Sequence, residues 1–156
     1  MKIEGVIFDF DGVFTDNTVI ISEDGQEFVK CSRLDGIGLG MLRDRKIPSV
    51  VISSEKNSVV LKRCEKLNIE AHNGIIDKVA TAMAWAEREH VDLKNCFFLG
   101  NDINDLPLLN AVGYPYIVND AVERLIENKK FRRLKSRGGA GAVRELCEIL
   151  TKGDLV

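Results

Sequence analysis

A doubly wound α/β fold on a parallel sheet, with a β-hairpin projecting from it, is the architecture this chain predicts. Three features point there. Short apolar runs recur that are continuous rather than alternating, as in strands covered on both faces. Helical periodicity fills the gaps between them, which makes βαβ units. Carboxylates, a hydroxyl and a lysine fall directly after the apolar runs, where open α/β sheets carry their ligands.

The elements follow in order. Ile3 to Phe10, with Val6-Ile7-Phe8 at its centre, reads as a buried strand. Thr18 to Ile21 and Glu27 to Cys31 are short β-like runs joined by Ser22-Glu23-Asp24-Gly25-Gln26. Asp-Gly is a strong hairpin signal, so a flap over about 17–31 is expected. Asp35 to Lys46 carries Ile37, Leu39, Met41 and Leu42 at helical spacing. Ser49 to Ile52 is a second strand, entered through Pro48. Asn57 to Leu67 and Asp77 to His90 are the next helices, the latter with Trp85 as a packing residue. Cys96 to Leu99 and Tyr114 to Val118 are the third and fourth strands. Asn104 to Val112, Ala121 to Asn128 and Ala140 to Leu150 complete the helical set.

Composition bounds the setting. The 156 residues are 45% hydrophobic and 29% charged, which suits one globular domain over 1–156. A net charge of −2 argues against a general nucleic-acid binder. That average hides a basic stretch: Lys129 to Arg137 holds six basic residues and no acidic one, leaving −8 on the rest of the chain. The stretch is either a solvated connection or a patch that attracts an anionic ligand. No run reaches the roughly 18 apolar residues of a membrane span, and Glu4 interrupts any signal-peptide start. Cys31, Cys64, Cys96 and Cys147 are widely spaced and form no CxxC pair, so free thiols in a reduced cytoplasm are expected.

The strand ends carry the chemistry. Asp9-Phe10-Asp11-Gly12-Val13-Phe14-Thr15-Asp16 follows the first strand, Ser53-Ser54 the second, and Gly100-Asn101-Asp102-Ile103-Asn104-Asp105 the third. Lys78 opens the helix before the third strand. Clustered carboxylates repel one another unless a cation neutralises them. Oxygen donors of this kind suit Mg²⁺, which keeps several waters and accepts substrate phosphate. Asp9 and Asp11 lie two apart on extended backbone, and Gly12 allows a sharp turn after them. Two such carboxylates can divide nucleophilic and proton-transfer work. Asp102 and Asp105 are either metal ligands or caps of the helix that follows.

The Asp9 to Thr15 segment resembles the DxDGxxT signature of haloacid dehalogenase-type phosphatases. Four fixed residue types in seven recur by chance at about one position in 10⁵. Ser53, Lys78 and Gly100 to Asp105 match the other three motifs in order. Without a cap insertion, the chain is similar to the branch that includes 3-deoxy-D-manno-octulosonate 8-phosphate phosphatases and 9-phosphate phosphatases of nine-carbon ulosonic acids. It is also similar to the phosphatase-like domain of some acylneuraminate cytidylyltransferases. The resemblance implies Asp9 as nucleophile and Asp11 as general acid and base. Ser53 and Lys78 would hold the phosphoryl oxygens. Mg²⁺ would sit among Asp9, Asp11, Asn101, Asp102 and Asp105. The substrate would be a sugar-acid phosphate, met also by Thr15, Ser54, Glu55, Arg63 and Lys66. Glu55 stands where the octulosonate branch usually has Arg, as in the nine-carbon branch. A solvated helix face is the alternative for Glu55, Arg63 and Lys66. A homotetramer is implied, with hairpins packed together and a neighbour covering each site. One position departs from the pattern: Asn101 replaces the usual Asp, as in the cytidylyltransferase domains, which makes a non-catalytic oligomerisation partner the rival reading.

Overall fold

The computed structural model describes residues 3–152, so Met1, Lys2 and residues 153–156 of the expected 1–156 domain lie outside the described residues. Six parallel strands form one sheet: β1 (Gly5–Phe8), β4 (Ser49–Ile52), β5 (Glu70–His72), β6 (Cys96–Gly100), β7 (Tyr114–Ile117) and β8 (Arg132–Arg133). Their order is β5-β4-β1-β6-β7-β8. The hairpin pairs β2 (Ile20–Ile21) with β3 (Glu27–Phe28) around a turn in which Gly25 has φ +81°. Its base is tied by a bridge between Thr15 and Cys31.

The helices are α1 (Leu34–Asp44), α2 (Val59–Leu67), α3 (Lys78–Glu89), α4 (Leu106–Ala111), α5 (Glu123–Ile126) and α6 (Ala142–Thr151). The chain runs from β1 outward through β4 to β5, then crosses back by α3 to β6 on the other side of β1. Right-handed crossovers therefore put α3 on the face opposite α1 and α2. The reversal of direction beside β1 opens a crevice at the carboxyl ends of β1, β4 and β6. Register completes the placement: Phe8 pairs with both Val51 and Leu99. Asp9, Ser53 and Asn101 thus leave one sheet edge together.

The expected elements are present with shifted ends, and two strands are additional. β5 is short, polar at both ends and at the sheet margin, so it lacks the apolar run of a central strand. β8 lies inside the basic stretch, and its two arginines are exposed on the opposite margin. Charged side chains are how edge strands resist unwanted pairing. Ile103–Asp105 forms a 3-10 turn, which shortens the helix expected from Asn104.

The core runs through the sheet and both helix layers, with Phe8, Phe10, Phe14, Phe97 and Phe98 fully buried. The Phe10 and Phe14 rings stack at 5.6 Å, and Phe14 meets Phe8 edge-on at 5.7 Å. These rings nail down the loop that carries Asp9 and Asp11. Each buried ring stabilises by roughly 2–3 kcal/mol. Trp85 packs over Gly5, where a Cβ would come within 2.7 Å of the indole. Gly38 lets α1 approach α6, since a Cβ there would meet the Arg144 Cα at 2.9 Å. All four cysteines are free thiols, with Cys64, Cys96 and Cys147 buried and Cys31 half-buried. Among the described residues no helix is long and apolar enough to cross a membrane.

One core carboxylate has no obvious place in this packing. Asp35, in the first turn of α1, is fully buried, and neither of its oxygens has a hydrogen-bond partner. Burial pushes its pKa up to about 6; the Arg144 N–H, short of hydrogen-bond geometry, and the Arg63 guanidinium only partly offset it. A raised folded-state pKa gives stability that is full below the unfolded value near 4 and fades as pH rises through 6. Urea denaturation from pH 4 to pH 7 should therefore show a flatter stability curve for Asp35→Asn than for the parent chain. Parallel curves would contradict the assignment.

Candidate active site

Asp9 follows β1 directly and is 4% exposed. Its Oδ1 accepts from the Phe10 backbone N–H at 2.7 Å and lies 2.8 Å from the Lys78 Nζ. Oδ2 accepts no hydrogen bond among the described residues. Lys78 is the first residue of α3, capped by the Asp77 side chain, which accepts from the Ala80 N–H at 2.9 Å. The same Nζ donates to Asp105 Oδ1 at 2.7 Å. Asp105 Oδ2 in turn accepts from the Asn101 and Asp102 N–H groups at 2.8 and 3.3 Å. One ammonium thus links three segments of the sheet edge.

The electrostatics follow from burial. Desolvation pushes the Asp9 pKa up, and the Asp105 charge adds to it. Lys78 pulls it back, so that it stands at about 7. Burial alone would lower the Lys78 ammonium, but the two carboxylates outweigh it and raise its pKa. Lysine has three N–H donors, and two are committed here.

Asp11 sits at the mouth. The Thr15 hydroxyl donates to its Oδ1 at 3.3 Å and accepts from the Gly12 and Asn17 N–H groups at 3.1 and 3.2 Å. Burial raises the Asp11 pKa, the Thr15 bond lowers it, and the charge of Glu55 raises it again. Asp11 and Glu55 share a cleft of about 190 Å³ walled by the hairpin residues Thr18, Glu27 and Val29. Ser53 is buried beside the same edge and accepts from the Glu55 N–H at 3.2 Å.

The family profile of haloacid dehalogenase-like hydrolases matches residues 44–137, a span that includes Ser53, Lys78 and Asn101 to Asp105. The chain belongs to the haloacid dehalogenase-like hydrolases. It is 30% identical over 146 residues to the 3-deoxy-D-manno-octulosonate 8-phosphate phosphatase of Escherichia coli K12, covering 93% of this chain and 77% of that protein. The Moraxella catarrhalis enzyme of that name, solved with magnesium, phosphate and KDO, superposes with a TM-score of 0.89 at 27% identity, over 96% of this chain and 86% of that one. The cobalt-bound Haemophilus influenzae phosphatase gives 0.90 at 28% identity, over 97% and 88%.

In this haloacid dehalogenase-like site, the remaining expected residues are placed as follows. Thr15 is fully buried, with its hydroxyl bonded to Asp11 and to the Gly12 N–H, and it shapes the loop. Asp102 uses its carboxylate to cap the turn that follows, accepting from the Ile103 N–H at 2.6 Å, in a capping box with Asp105. Asp105 has both oxygens committed and braces Lys78. Arg63 and Lys66 do not line the Asp11 cleft. They line a separate depression on α2 with Arg33 and Leu67, where Arg63 donates to the Ser32 carbonyl at 2.9 Å. Ser54 is exposed and accepts from Asn104 Nδ2 at 3.3 Å, which links the ends of β4 and β6.

The donor set can still be tested for a divalent cation. Among the described residues no three of His, Cys, Asp and Glu converge as metal ligands. Asn101, however, is 6% exposed, and its Oδ1 is buried without a partner. An orphaned buried acceptor costs about 1–3 kcal/mol, and a cation is one partner that removes the cost. The Asn101 side chain lies against Gly12, where a Cβ would fall 1.9 Å from its Nδ2 and where φ is +75°. The residues fit an oxygen-liganded ion held by Asp9, Asp11 and Asn101, with fewer charges than the five-residue set expected from sequence.

Removing Lys78 should expose the strain in this arrangement. In EDTA, Lys78→Met should cost about 3–5 kcal/mol at pH 8, where two buried carboxylates lose their partner. The cost should shrink towards pH 5 as Asp9 takes up a proton. Equal losses at both pH values, read by urea denaturation, would contradict the coupling.

Proposed function

We propose that the chain is a Mg²⁺-dependent phosphatase acting on a sugar-acid phosphate of the 2-keto-3-deoxy nonulosonate 9-phosphate type, through an aspartyl-phosphate on Asp9. The observation that carries the reading is the Asp9 carboxylate itself, pinned through Oδ1 by Lys78 and Phe10 with Oδ2 left over. Oδ2 attacks phosphorus and the P–O bond to the sugar breaks. Asp11 gives its proton to the departing oxygen. Its pKa, raised by burial, suits an acid that must hold a proton before the step. Asp11 then takes a proton from the water that attacks the acyl phosphate, releasing phosphate and restoring Asp9. The third Lys78 N–H and the Ser53 hydroxyl supply donors for the phosphoryl oxygens, fixed in advance of the charge they meet. Asp9, Asp11 and Asn101 would hold the Mg²⁺, which would screen the carboxylates from the incoming phosphate.

A homotetramer and a cytoplasmic setting belong to the same proposal. Val19, Ile20, Ile21 and Phe28 on the hairpin are half-exposed or more, an apolar flap suited to packing on its copies. Free thiols suit a reducing compartment. An eight-carbon substrate is the second reading, favoured by the names of the Escherichia coli and Moraxella relatives. Glu55, standing where the octulosonate branch usually has Arg, supports the nine-carbon acid over it.

Phosphate release should be measured across eight- and nine-carbon acid phosphates with Mg²⁺. Turnover is expected to be fastest on a nine-carbon substrate. Asp9→Asn should lose at least about 10³-fold in kcat, consistent with loss of a covalent route. A correctly assembled protein that hydrolyses none of these substrates would leave the non-catalytic partner reading standing. Asn101→Asp should lower the Mg²⁺ concentration needed for half-maximal rate and change kcat by less than about tenfold. A much larger gain in kcat would mean that the native ion site is impaired.

A further inference from the structure

We propose that Asp120 and Glu145 are positioning residues for Asp11, acting through the Gly138–Gly139 pair. The inference rests on the phosphatase reading, because it takes Asp11 as the proton donor. The pair sits directly on the backbone of the Asp11 loop. A Cβ at Gly138 would lie 2.0 Å from the Gly12 carbonyl oxygen and 2.9 Å from that of Thr15. A Cβ at Gly139, where φ is +67°, would lie 2.5 Å from the Asp16 nitrogen. The Gly139 N–H donates to the Val13 carbonyl at 3.0 Å. Only a chain without side chains at these two positions can back the loop this closely. The loop it backs contains Thr15, whose hydroxyl holds the Asp11 carboxylate.

Two carboxylates anchor the glycine pair and the segment that leads into it. Asp120 Oδ1 accepts from the Gly138 N–H at 2.9 Å, and its Oδ2 pairs with the Arg137 Nε at 3.1 Å. Glu145, in the first turn of α6, accepts from the Lys135 N–H through Oε1 at 3.0 Å and from the Ser136 N–H through Oε2 at 2.7 Å. Burial would raise the Glu145 pKa, but the Ser136 hydroxyl and these N–H groups outweigh it and lower it. The Asn119 N–H adds a bond to the Ser136 carbonyl at 2.9 Å. The basic stretch therefore ends in a clamp, tied by Glu145 just before the glycine pair and by Asp120 at Gly138, where the chain presses on the Asp11 loop. Neither anchor lies in the Asp11 cleft.

A positioning role for the proton donor has a signature that general destabilisation lacks. Proton donation matters for an alkoxide leaving group and little for p-nitrophenolate. The value of kcat/KM reports only steps up to phosphoryl transfer. Because Asp11 is also placed as an ion ligand, the full chain should be assayed at Mg²⁺ saturating for each variant, on its preferred sugar-acid phosphate and on p-nitrophenyl phosphate. Asp120→Ala should lower kcat/KM about tenfold on the sugar-acid phosphate and less than about twofold on p-nitrophenyl phosphate. Asp120→Asn keeps an oxygen for the Gly138 N–H and should recover most of the loss. Glu145→Ala releases the segment just before the glycine pair and should repeat the selective pattern, which keeps the test open if Asp120→Ala does not fold. Equal losses on both substrates, or none on either, would overturn the clamp while leaving the phosphatase reading intact. A parent chain inert on both substrates would overturn the phosphatase reading instead.

Discussion

Everything at this sheet edge hangs on one buried ammonium. Lys78 lies between Asp9 and Asp105 at 2.8 and 2.7 Å, with the lysine and both carboxylates almost wholly out of water. Such a cluster is a poor source of stability, because desolvating three charges costs about as much as their attraction returns. What it supplies is geometry. The three residues come from the end of β1, the start of α3 and the turn after β6, so the pairing forms only when the crossover is complete. The aromatic floor of Phe8, Phe10 and Phe14 offsets the cost from below.

The same constraint explains how the carboxylates divide their work. Asp9 and Asp105 compete for one cation, so Asp105 spends its other oxygen on the Asn101 and Asp102 N–H groups and leaves Asp9 as the group with an uncommitted oxygen. Asp11 is held apart from this cluster by Thr15, half-buried in a cleft with Glu55. Burial raises both carboxyls, Asp9 to about 7 between Asp105 and Lys78, so the proposed division into nucleophile and acid rests on position: Asp9 at the buried edge, Asp11 at the mouth beside Glu55. Gly12, in left-handed conformation against Asn101, and the Gly138–Gly139 pair behind it keep the short loop between them in one shape.

Much of this was legible in the residues. The central strands declare themselves because both of their faces are covered, so Val6-Ile7-Phe8 and Phe97-Phe98-Leu99 read as unbroken apolar runs. Their order around β1 then brings Asp9, Ser53 and Lys78 to one place. The marginal strands did not declare themselves. β5 and β8 are short, half-covered or exposed, and carry polar side chains suited to an edge. Nor could spacing say which carboxylate would face the lysine. Asp102 and Asp105 are three apart in a turn, and a capping box serves that spacing as well as a metal does. The role of Gly138-Gly139 was hidden for another reason. A glycine pair followed by a helix is common, and only the distance to Gly12, far away in sequence, gives it meaning.

The central claim is that the Asp9 oxygen left free by Lys78 becomes covalently phosphorylated. Rapid acid quench of the Mg²⁺-loaded protein during turnover of its preferred sugar-acid phosphate, followed by peptide mass spectrometry, tests it directly. The account predicts a phosphoryl group on the peptide that carries Asp9, present during turnover and gone once substrate is exhausted. Sustained turnover with no phosphoryl adduct, or with the adduct on another side chain, would contradict it.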